Sequence, residues 1–399
     1  MRILAIETSC DETSLALVDN GRTVVSMDTA SQELYHRAFG GVVPEIAARR
    51  HLEVFYPTLK ACLTKGVAAS LSAEKTIQNA SSSNKQHNYN HKEYNLKALS
   101  SHRDAYLTVL KNTIDAIAVT THPGLIGSLF VGTNAAKSLA YLLEKPLIGV
   151  SHLKAHFYSL VMTGKITFPY LGLLVSGGHT ILALVKTPLE LEVLGSTLDD
   201  ACGECFDKIA RALELPYPGG AAIEELARTG DETYFTYPIF RPQQNKLSRY
   251  RYAFSYSGLK TAVIHNSPRY LTTPYHTDFN WDTLKPHIAA SFQKAALTQL
   301  VEQTLAAARE LGITQIGICG GVAANKYLKT LFNKAHLPKK KNNLAPANLT
   351  YVTPPLELCT DNAAMIGGIA YHYYLAGAVC ENIFDLTPTA KSFKRDLVL

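Results

Sequence analysis

Several patterns that mark whole classes of protein are missing from this 399-residue sequence. The seven cysteines are an odd, scattered set, and no second pair accompanies Cys202-x-x-Cys205, so we expect small buried thiols rather than disulfides or a four-cysteine zinc site. The chain opens without a secretory apolar segment. Its longest apolar run, 363–379, contains Gly367, Gly368 and His372, which indicates a buried helix rather than a membrane span. These absences predict a cytoplasmic protein with reduced thiols.

Neither sign of charge dominates the sequence. Lysine and arginine number 39 and aspartate and glutamate 33, which gives a net charge of +6 and a pI near 8.8. This balance weakly favours acidic partners such as nucleic acid or nucleotides and decides nothing alone. With 47% hydrophobic residues the chain can bury a large core, but 399 residues are too many for one compact domain, so two domains are expected.

Two histidines four residues apart follow the apolar, strand-like run 146–150. If the chain turns helical after Val150, His152 and His156 lie on one face of the helix and their imidazoles can meet one ion. This is a two-nitrogen half of a metal site. A solvated helix end is the alternative, because such pairs also arise by chance.

Two kinds of element each occur twice in the same order. Strand, polar turn and strand occupy 2–18 and again 170–185, while strand, glycine turn and helix begin near 114 and again near 315. The pattern predicts an α/β protein with two duplicated lobes. Turn amides and helix N-termini can bind phosphate, as in the actin, hexokinase and Hsp70 superfamily, although glycines also simply permit tight turns. We therefore expect a nucleotide cleft between the lobes.

We assign residues 1–150 to the first lobe and 151–361 to the second, with the C-terminal helices of 362–399 as candidates to complete the first. A helix that begins at Pro44 should run to about Lys65.

A polar segment interrupts the first lobe at 68–101. This segment is rich in Ser, Asn, Lys, His and Gln, so it cannot bury enough apolar area to fold alone, and we expect a mobile surface insertion.

Carboxylates are crowded between the two repeats. On a helix, Asp200, Glu204, Asp207 and Lys208 fall near one face. From spacing alone a solvated acidic face is the simpler interpretation.

Ten segments of the chain form one ordered set of motifs: Ile6–Ser14, Gly40–Glu45, Pro123–Leu129, His152-x-x-x-His156, Leu174–Thr180, Phe206–Lys208, Pro218–Gly220, Ser257–Thr261, Gly320–Asn325 and Thr360–Asn362. In this order they resemble the TsaD family, the tRNA N6-adenosine threonylcarbamoyltransferases once described as glycoproteases. The resemblance covers nearly the whole chain outside the insertion.

The resemblance implies a metal centre. His152, His156 and Asp361 would hold one metal ion, Fe(II), with zinc as a possible substitute. Two imidazoles and one carboxylate leave positions open for a substrate oxygen. We expect this centre in the second lobe together with most of the adenylate-binding site.

The resemblance also implies the substrates and the reaction. The threonylcarbamoyl group would move from threonylcarbamoyl-AMP to the N6 amine of adenosine 37, just 3′ of the anticodon, in tRNAs that read codons starting with A, giving t6A and AMP. The resemblance does not identify the residue that accepts the proton, and Asp11 and Glu12 are our candidates. The implied adenylate-binding residues are Leu174, Val175, Ser176, Gly177, Gly178, Asp207, Gly220, Asn325 and, as a further addition, Glu224.

Partners follow from the same resemblance. Bacterial relatives act with a TsaB-like paralogue and a TsaE-like ATPase, while a TsaC-like enzyme supplies the adenylate. For the tRNA, phosphate contacts need only scattered basic side chains, and we select Arg37, Arg49 and Arg50.

This chain departs from the family pattern in places. Lys154 and Ala155 stand between the metal histidines, where the family usually has Glu-Gly, so the local charge changes sign. The segments 68–101, 267–281 and 339–348 are additions that can alter how partners dock.

Three other functions remain to be weighed. A metalloprotease of the zincin type requires Glu at position 153, where this chain has Leu153. An ATPase of the same fold would use the same nucleotide cleft. A nucleotide-binding scaffold like the paralogous partner would lack the two histidines and Asp361, and this chain keeps all three.

Overall fold

The computed structural model describes residues 1–81, 110–242, 251–265, 280–336 and 348–391. Among these, ten strands are numbered in chain order: β1 Arg2–Glu7, β2 Glu12–Asp19, β3 Thr23–Ser31, β4 Ala116–His122, β5 Leu147–Ser151, β6 Tyr170–Val175, β7 Thr180–Val185, β8 Leu191–Ser196, β9 Gln315–Cys319 and β10 Thr350–Val352. The α-helices of the same residues are α1 Glu33–His36, α2 Pro44–Ser81, α3 Ile126–Leu143, α4 His152–Met162, α5 Cys202–Ala212, α6 Gly219–Ala227, α7 Ser257–His265, α8 Trp281–Leu311, α9 Lys326–His336, α10 Leu356–Cys359 and α11 Ala363–Leu375.

The described chain divides into two compact units. The first unit comprises Met1–Gln32, Pro44–Tyr158 and Asp361–Ser392, and the second comprises Glu33–Val43 and Ser159–Thr360.

The first unit is built on a five-stranded sheet of order β3-β2-β1-β4-β5. Strands β1 to β3 form an antiparallel meander, and β4 and β5 are parallel to β1. The central strand β1 is apolar from Ile3 to Ile6, and these residues are fully buried. The helix α11 packs closely here, since a Cβ on Gly367 would lie 2.8 Å from Val18 Cγ2. Fully burying one large aliphatic side chain contributes about 1.5–3 kcal/mol, so this strand anchors the unit.

The second unit repeats the same plan. Its sheet has the order β8-β7-β6-β9-β10, with an antiparallel meander from β6 to β8 and with β9 and β10 parallel to β6. The core cluster includes Leu171, Phe206 and Phe292 and lies between this sheet and the helices α5 and α8. Because both sheets share one strand order and one set of directions, the predicted duplication of an α/β lobe is confirmed.

The boundary between the units differs from the expected one at residue 150. Strand β5 ends at Ser151 and α4 begins at His152 without a loop, so the first turns of this helix remain with the first sheet. The first unit therefore continues to Tyr158 and resumes at Asp361. The metal candidates belong to this unit, not to the second lobe in which we expected them.

Two other predictions concern segments at the edge of the described residues. Helix α2 begins at Pro44 as predicted, but it continues past Lys65 to Ser81. The rest of the predicted insertion, from 82 onward, lies outside the described residues, as do most of 267–281 and 339–348.

The cysteines and the apolar C-terminal run follow the sequence predictions. All seven cysteines are free thiols; five are buried as expected, whereas Cys10 and Cys380 are partly exposed. In the run 363–379, residues Ala363–Leu375 form the helix α11, and its first eight residues are buried. No helix of the described chain is both long and apolar enough to cross a membrane.

Candidate metal centre

Three ligand atoms converge in the first unit. Helix α4 carries both histidines on one face, and their Nε2 atoms lie 3.2 Å apart. Asp361 Oδ1 lies 3.0 Å from His156 Nε2 and 3.5 Å from His152 Nε2. Among the described residues this is the group of three such side chains that could hold a metal ion.

The spacing of these atoms fits a bound transition metal. An ion about 2.1 Å from each ligand sets two ligand atoms about 3.0 Å apart at a right angle and about 3.4 Å apart at the tetrahedral angle. Two of the separations, 3.0 and 3.2 Å, fall in this range, and the third, 3.5 Å, lies just above it. Two imidazoles with one carboxylate suit iron or zinc, so the arrangement is compatible with metal binding.

A buried carboxylate contacts His152, one of the candidate ligands. Glu7 Oε2 lies 3.1 Å from His152 Nδ1, and the side chain of Glu7 is fully buried. Ser9 Oγ lies 3.2 Å from the same nitrogen. Metal-binding histidines usually have such a partner on the nitrogen that does not bind the ion.

Charges around the two histidines separate their pKa values. Burial alone would lower the pKa of His152, but the carboxylates of Asp361 and Glu7 raise it to about 9. Burial and the positive charge of His152 lower the pKa of His156. Burial would raise the pKa of Glu7, yet the charge and hydrogen bond of His152 lower it. In the metal-free site one proton is therefore held chiefly by His152.

The hairpin tip between β1 and β2 carries the two candidate proton acceptors. The ring of His51, buried in α2, fixes this tip: Nδ1 lies 2.7 Å from Thr13 Oγ1 and Nε2 lies 2.9 Å from the carbonyl oxygen of Cys10. Burial and the charges of Asp11 and Asp361 raise the pKa of Glu12 well above its usual range. The hydrogen bond between the Glu12 and Asp11 carboxyls acts in the same direction.

The residues expected to bind the adenylate lie in the second unit. The turn between β6 and β7 is closed by hydrogen bonds in both directions: Ser176 N donates to the carbonyl of His179 (2.8 Å), and His179 N donates to Ser176 Oγ (3.1 Å). A Cβ on Gly177 or Gly178 would meet no described atom within 4 Å. The internal packing of the unit therefore does not require glycine at these two positions.

Asp207 and Gly220 are brought together by the helices α5 and α6. Asp207 Oδ1 accepts a hydrogen bond from Gly219 N at 2.8 Å. Burial raises the pKa of Asp207, although this N–H opposes the change. Asp207 and Gly219 line a cavity of about 150 Å³ together with Arg37 and Arg211.

Glu224 and Asn325 meet at the N-terminus of α9. Glu224 Oε1 accepts from Lys326 N at 3.0 Å, and Asn325 Oδ1 accepts from Leu328 N at 2.9 Å. The amide of Asn325 also donates to Gln293 Oε1. Asn325 thus has a structural role as a helix cap. A cavity of about 230 Å³ lies beside it, lined by Glu224, Gln293 and Lys326 among others.

The crowded carboxylates form a paired cluster rather than a solvated acidic face. Asp200 Oδ1 accepts from Lys208 Nζ at 2.6 Å, and its other oxygen accepts from Lys260. Lys208 also reaches Glu204 at 2.9 Å.

Of the basic residues selected for tRNA, two already contact carboxylates. Arg37 pairs with Glu33 at 2.8 Å in the second unit, and Arg50 pairs with Glu53 in the first. The two residues that depart from the family pattern, Lys154 and Ala155, are buried within α4.

The motif Ile6–Ser14 contains Glu7, but the sequence pattern predicted no role for this residue. The available signal was a carboxylate directly after the four apolar residues Ile3–Ile6 of a strand, because a buried carboxylate needs partners.

The chain is similar to proteins of one family over almost its full length. The family model TsaD, described as tRNA N6-adenosine threonylcarbamoyltransferase, matches residues 23–73 and 86–368. A protein of that name from Borrelia garinii subsp. bavariensis is 40% identical over 377 residues, which cover 94% of this chain and 92% of the relative. Another from Thermosipho africanus is 40% identical over 393 residues, which cover 98% of this chain and 100% of the relative. A third, from Staphylococcus haemolyticus, is 38% identical over 375 residues, 94% of this chain and 92% of the relative.

Proposed function

The chain belongs to the TsaD family of tRNA N6-adenosine threonylcarbamoyltransferases, and we propose that it works with one metal ion held by His152, His156 and Asp361. It transfers the threonylcarbamoyl group to the N6 amine of adenosine in tRNA, forming t6A. The observation that supports the metal is the convergence of three ligand atoms within 3.0–3.5 Å of one another. We propose Fe(II) as the ion, with zinc as a substitute.

The donor set explains which chemistry this centre would add. When bound, an ion with two imidazoles and one carboxylate keeps open positions and supplies Lewis acidity toward a carbonyl or phosphate oxygen. The protein holds the two histidines in buried positions, with His152 5% and His156 1% exposed. Bulk water is therefore excluded from these two side chains.

The protein's own residues would position the adenylate. We propose that the backbone of Leu174–Gly178 approaches the nucleotide closely, with Gly220 in the same role. Asp207 suits ribose hydroxyls, because its carboxylate is held in place by Gly219 N and has further lone pairs to offer. Glu224 and Asn325, at the start of α9, complete the proposed set.

Transfer also requires a proton acceptor. The amine nitrogen bonds to the carbamoyl carbon, the bond from that carbon to the AMP oxygen breaks, and one proton leaves the amine. We propose that the Asp11 and Glu12 pair takes this proton, because a raised carboxyl pKa suits proton transfer near neutral pH. A TsaB-like paralogue, a TsaE-like ATPase and a TsaC-like source of adenylate are the partners we propose, with cytoplasmic location.

The test is transfer of labelled threonine to tRNA by purified protein with its helpers and the adenylate-forming enzyme. We expect incorporation by the wild type, and loss of it in Asp361→Ala and after chelation, with recovery when Fe(II) or zinc is returned to the chelated wild type only. Full activity of both the variant and the chelated protein would contradict the metal assignment. Failure of the wild type, where a bacterial relative succeeds, would contradict the transferase assignment.

A further inference from the structure

Glu7 is a fully buried carboxylate that takes no direct part in the proposed reaction. It is the last residue of β1, and groups from three elements surround it. Ser9 N donates to Glu7 Oε1 at 2.5 Å, Thr120 Oγ1 of β4 donates to Oε2, and His152 Nδ1 of α4 lies 3.1 Å from Oε2. These three hydrogen-bonding partners hold the carboxylate ionised and in one orientation.

The residues that follow Glu7 are held in place by hydrogen bonds to the segment before and at the start of α3. Leu125 N donates to the carbonyl of Ser9 at 2.8 Å, and Thr8 Oγ1 donates to the carbonyl of Ser128 at 2.9 Å. A Cβ on Gly124 would lie 2.6 Å from the Ser9 oxygen, so the two loops are in close contact. The position of Glu7 is therefore determined by packing rather than by the histidine that it meets.

We propose that Glu7 is a positioning residue that selects the metal-binding tautomer of His152. A carboxylate can only accept a hydrogen bond, so the neutral imidazole must carry its proton on Nδ1. The lone pair then lies on Nε2, the atom that faces His156 Nε2 and Asp361 Oδ1. The negative charge of Glu7 also makes the imidazole a stronger ligand. This inference rests on the proposed metal centre.

Ser9 gives a control within the same contact. Its hydroxyl lies 3.2 Å from His152 Nδ1, but a hydroxyl can donate or accept, so it does not select a tautomer. The backbone N–H of Ser9, which holds Glu7, is kept in Ser9→Ala. Removing the Ser9 hydroxyl should therefore weaken metal binding much less than removing the Glu7 carboxylate.

The experiment measures binding of Co(II) to metal-free full-length protein by competition with a coloured chelator. Carboxylate partners of ligating histidines typically change metal affinity 10- to 100-fold, so we expect a loss of about that size in Glu7→Ala. Glu7→Gln, which keeps an acceptor oxygen without the charge, should be intermediate, and Ser9→Ala should stay within about threefold of the wild type. Ile6→Val, a core change on the opposite face of β1, is the control for lost stability.

A second readout reports the tautomer itself. In the zinc-loaded protein we expect a hydrogen-bonded Nδ1 proton of His152 in the nitrogen-15 NMR spectrum, present in the wild type and Ile6→Val and lost or strongly shifted in Glu7→Ala. If Glu7→Ala does not fold, the same comparison is made with Glu7→Gln and with Thr120→Val, which removes the hydroxyl that orients the carboxylate.

The outcomes separate this inference from the proposed metal centre. Unchanged Co(II) affinity and an unchanged Nδ1 resonance in the folded Glu7 variants would overturn the role of Glu7 alone. Co(II) affinity that is unchanged in His156→Ala would instead overturn the metal centre on which the inference rests.

Discussion

Asp361 Oδ1 lies 3.0 Å from His156 Nε2, although 205 residues separate the two in the chain. Asp361 precedes the cap of α11: Asn362 Oδ1 accepts from Met365 N at 3.0 Å, and Ala363 N donates to Ser14 Oγ at 3.0 Å. The proposed third ligand is thus positioned by the start of a buried helix rather than by a free loop.

The helix cap should therefore influence the metal centre. Asn362→Ala removes the cap and should cost about 1 kcal/mol of unfolding free energy. Because Asp361 is the neighbouring residue, we also expect several-fold weaker binding of zinc or Co(II). Asn280 also caps a helix, α8 in the second unit, where its Oδ1 accepts from Asp282 N at 3.1 Å. Asn280→Ala is the matched control, with a similar stability loss and unchanged metal affinity; equal affinity in both variants would refute the link.

The pH dependence of stability should differ between the metal-free and metal-loaded forms. The pKa of His152 is raised from its ordinary 6.5 to about 9, so the stabilisation it gives is complete below 6.5 and disappears as the pH rises through about 9. Chelated protein should lose thermal stability across this interval. Zinc must displace the proton that His152 holds, so the affinity for zinc should rise with pH over the same interval.

Thermal melting with and without zinc at a series of pH values checks this prediction. His152→Gln removes the titrating group, so the difference between wild type and variant isolates its contribution from other groups. If the stability difference between the wild type and His152→Gln grew with pH in the chelated protein, the predicted direction of the effect would be wrong.

Alanine substitutions of the two neighbouring glycines at the start of α6 should affect different properties, stability at Gly219 and substrate binding at Gly220. A Cβ on Gly219 would lie 2.6 Å from Ala210 Cβ and 2.7 Å from Asp207 Cα, so Gly219→Ala should destabilise the protein by about 1–3 kcal/mol. A Cβ on Gly220 meets no described atom within 4 Å. Gly220→Ala should keep its stability and raise the KM for threonylcarbamoyl-AMP, as checked by denaturant unfolding and transfer assays. An unchanged KM would argue against close approach of the adenylate.

The charge of Asp207 should matter for the adenylate more than for the fold. Asp207→Asn keeps an oxygen that can accept from Gly219 N, so stability should change little. Hydrogen bonds to a charged group contribute about 1.5–3 kcal/mol, so we expect about a 10- to 100-fold higher Kd for a non-hydrolysable threonylcarbamoyl-AMP analogue. Glu204→Gln, on the same helix but paired with Lys208 at 2.9 Å, is the control and should bind normally. Equal affinities of the two variants for the analogue would show that Asp207 does not bind the adenylate.

Local patterns in the sequence determined the elements and their repetition. The alternation of apolar strands with polar or glycine turns predicted both hairpins, and the same order of elements occurs in both sheets. The spacing of His152 and His156 predicted that they share a helix face, because i and i+4 positions are neighbours on any α-helix. Asp361 entered only through the family resemblance, since no local pattern links it to residues so distant in the chain.

Tertiary structure decided what no local pattern contains. The boundary between the units lies within α4, because that helix follows β5 without a loop. Glu7 became a partner of His152 only when β1, β4 and α4 were brought together. Spacing in a sequence encodes contacts within one element, whereas contacts between elements depend on strand order and packing, and the buried carboxylate of the metal centre belongs to the second kind.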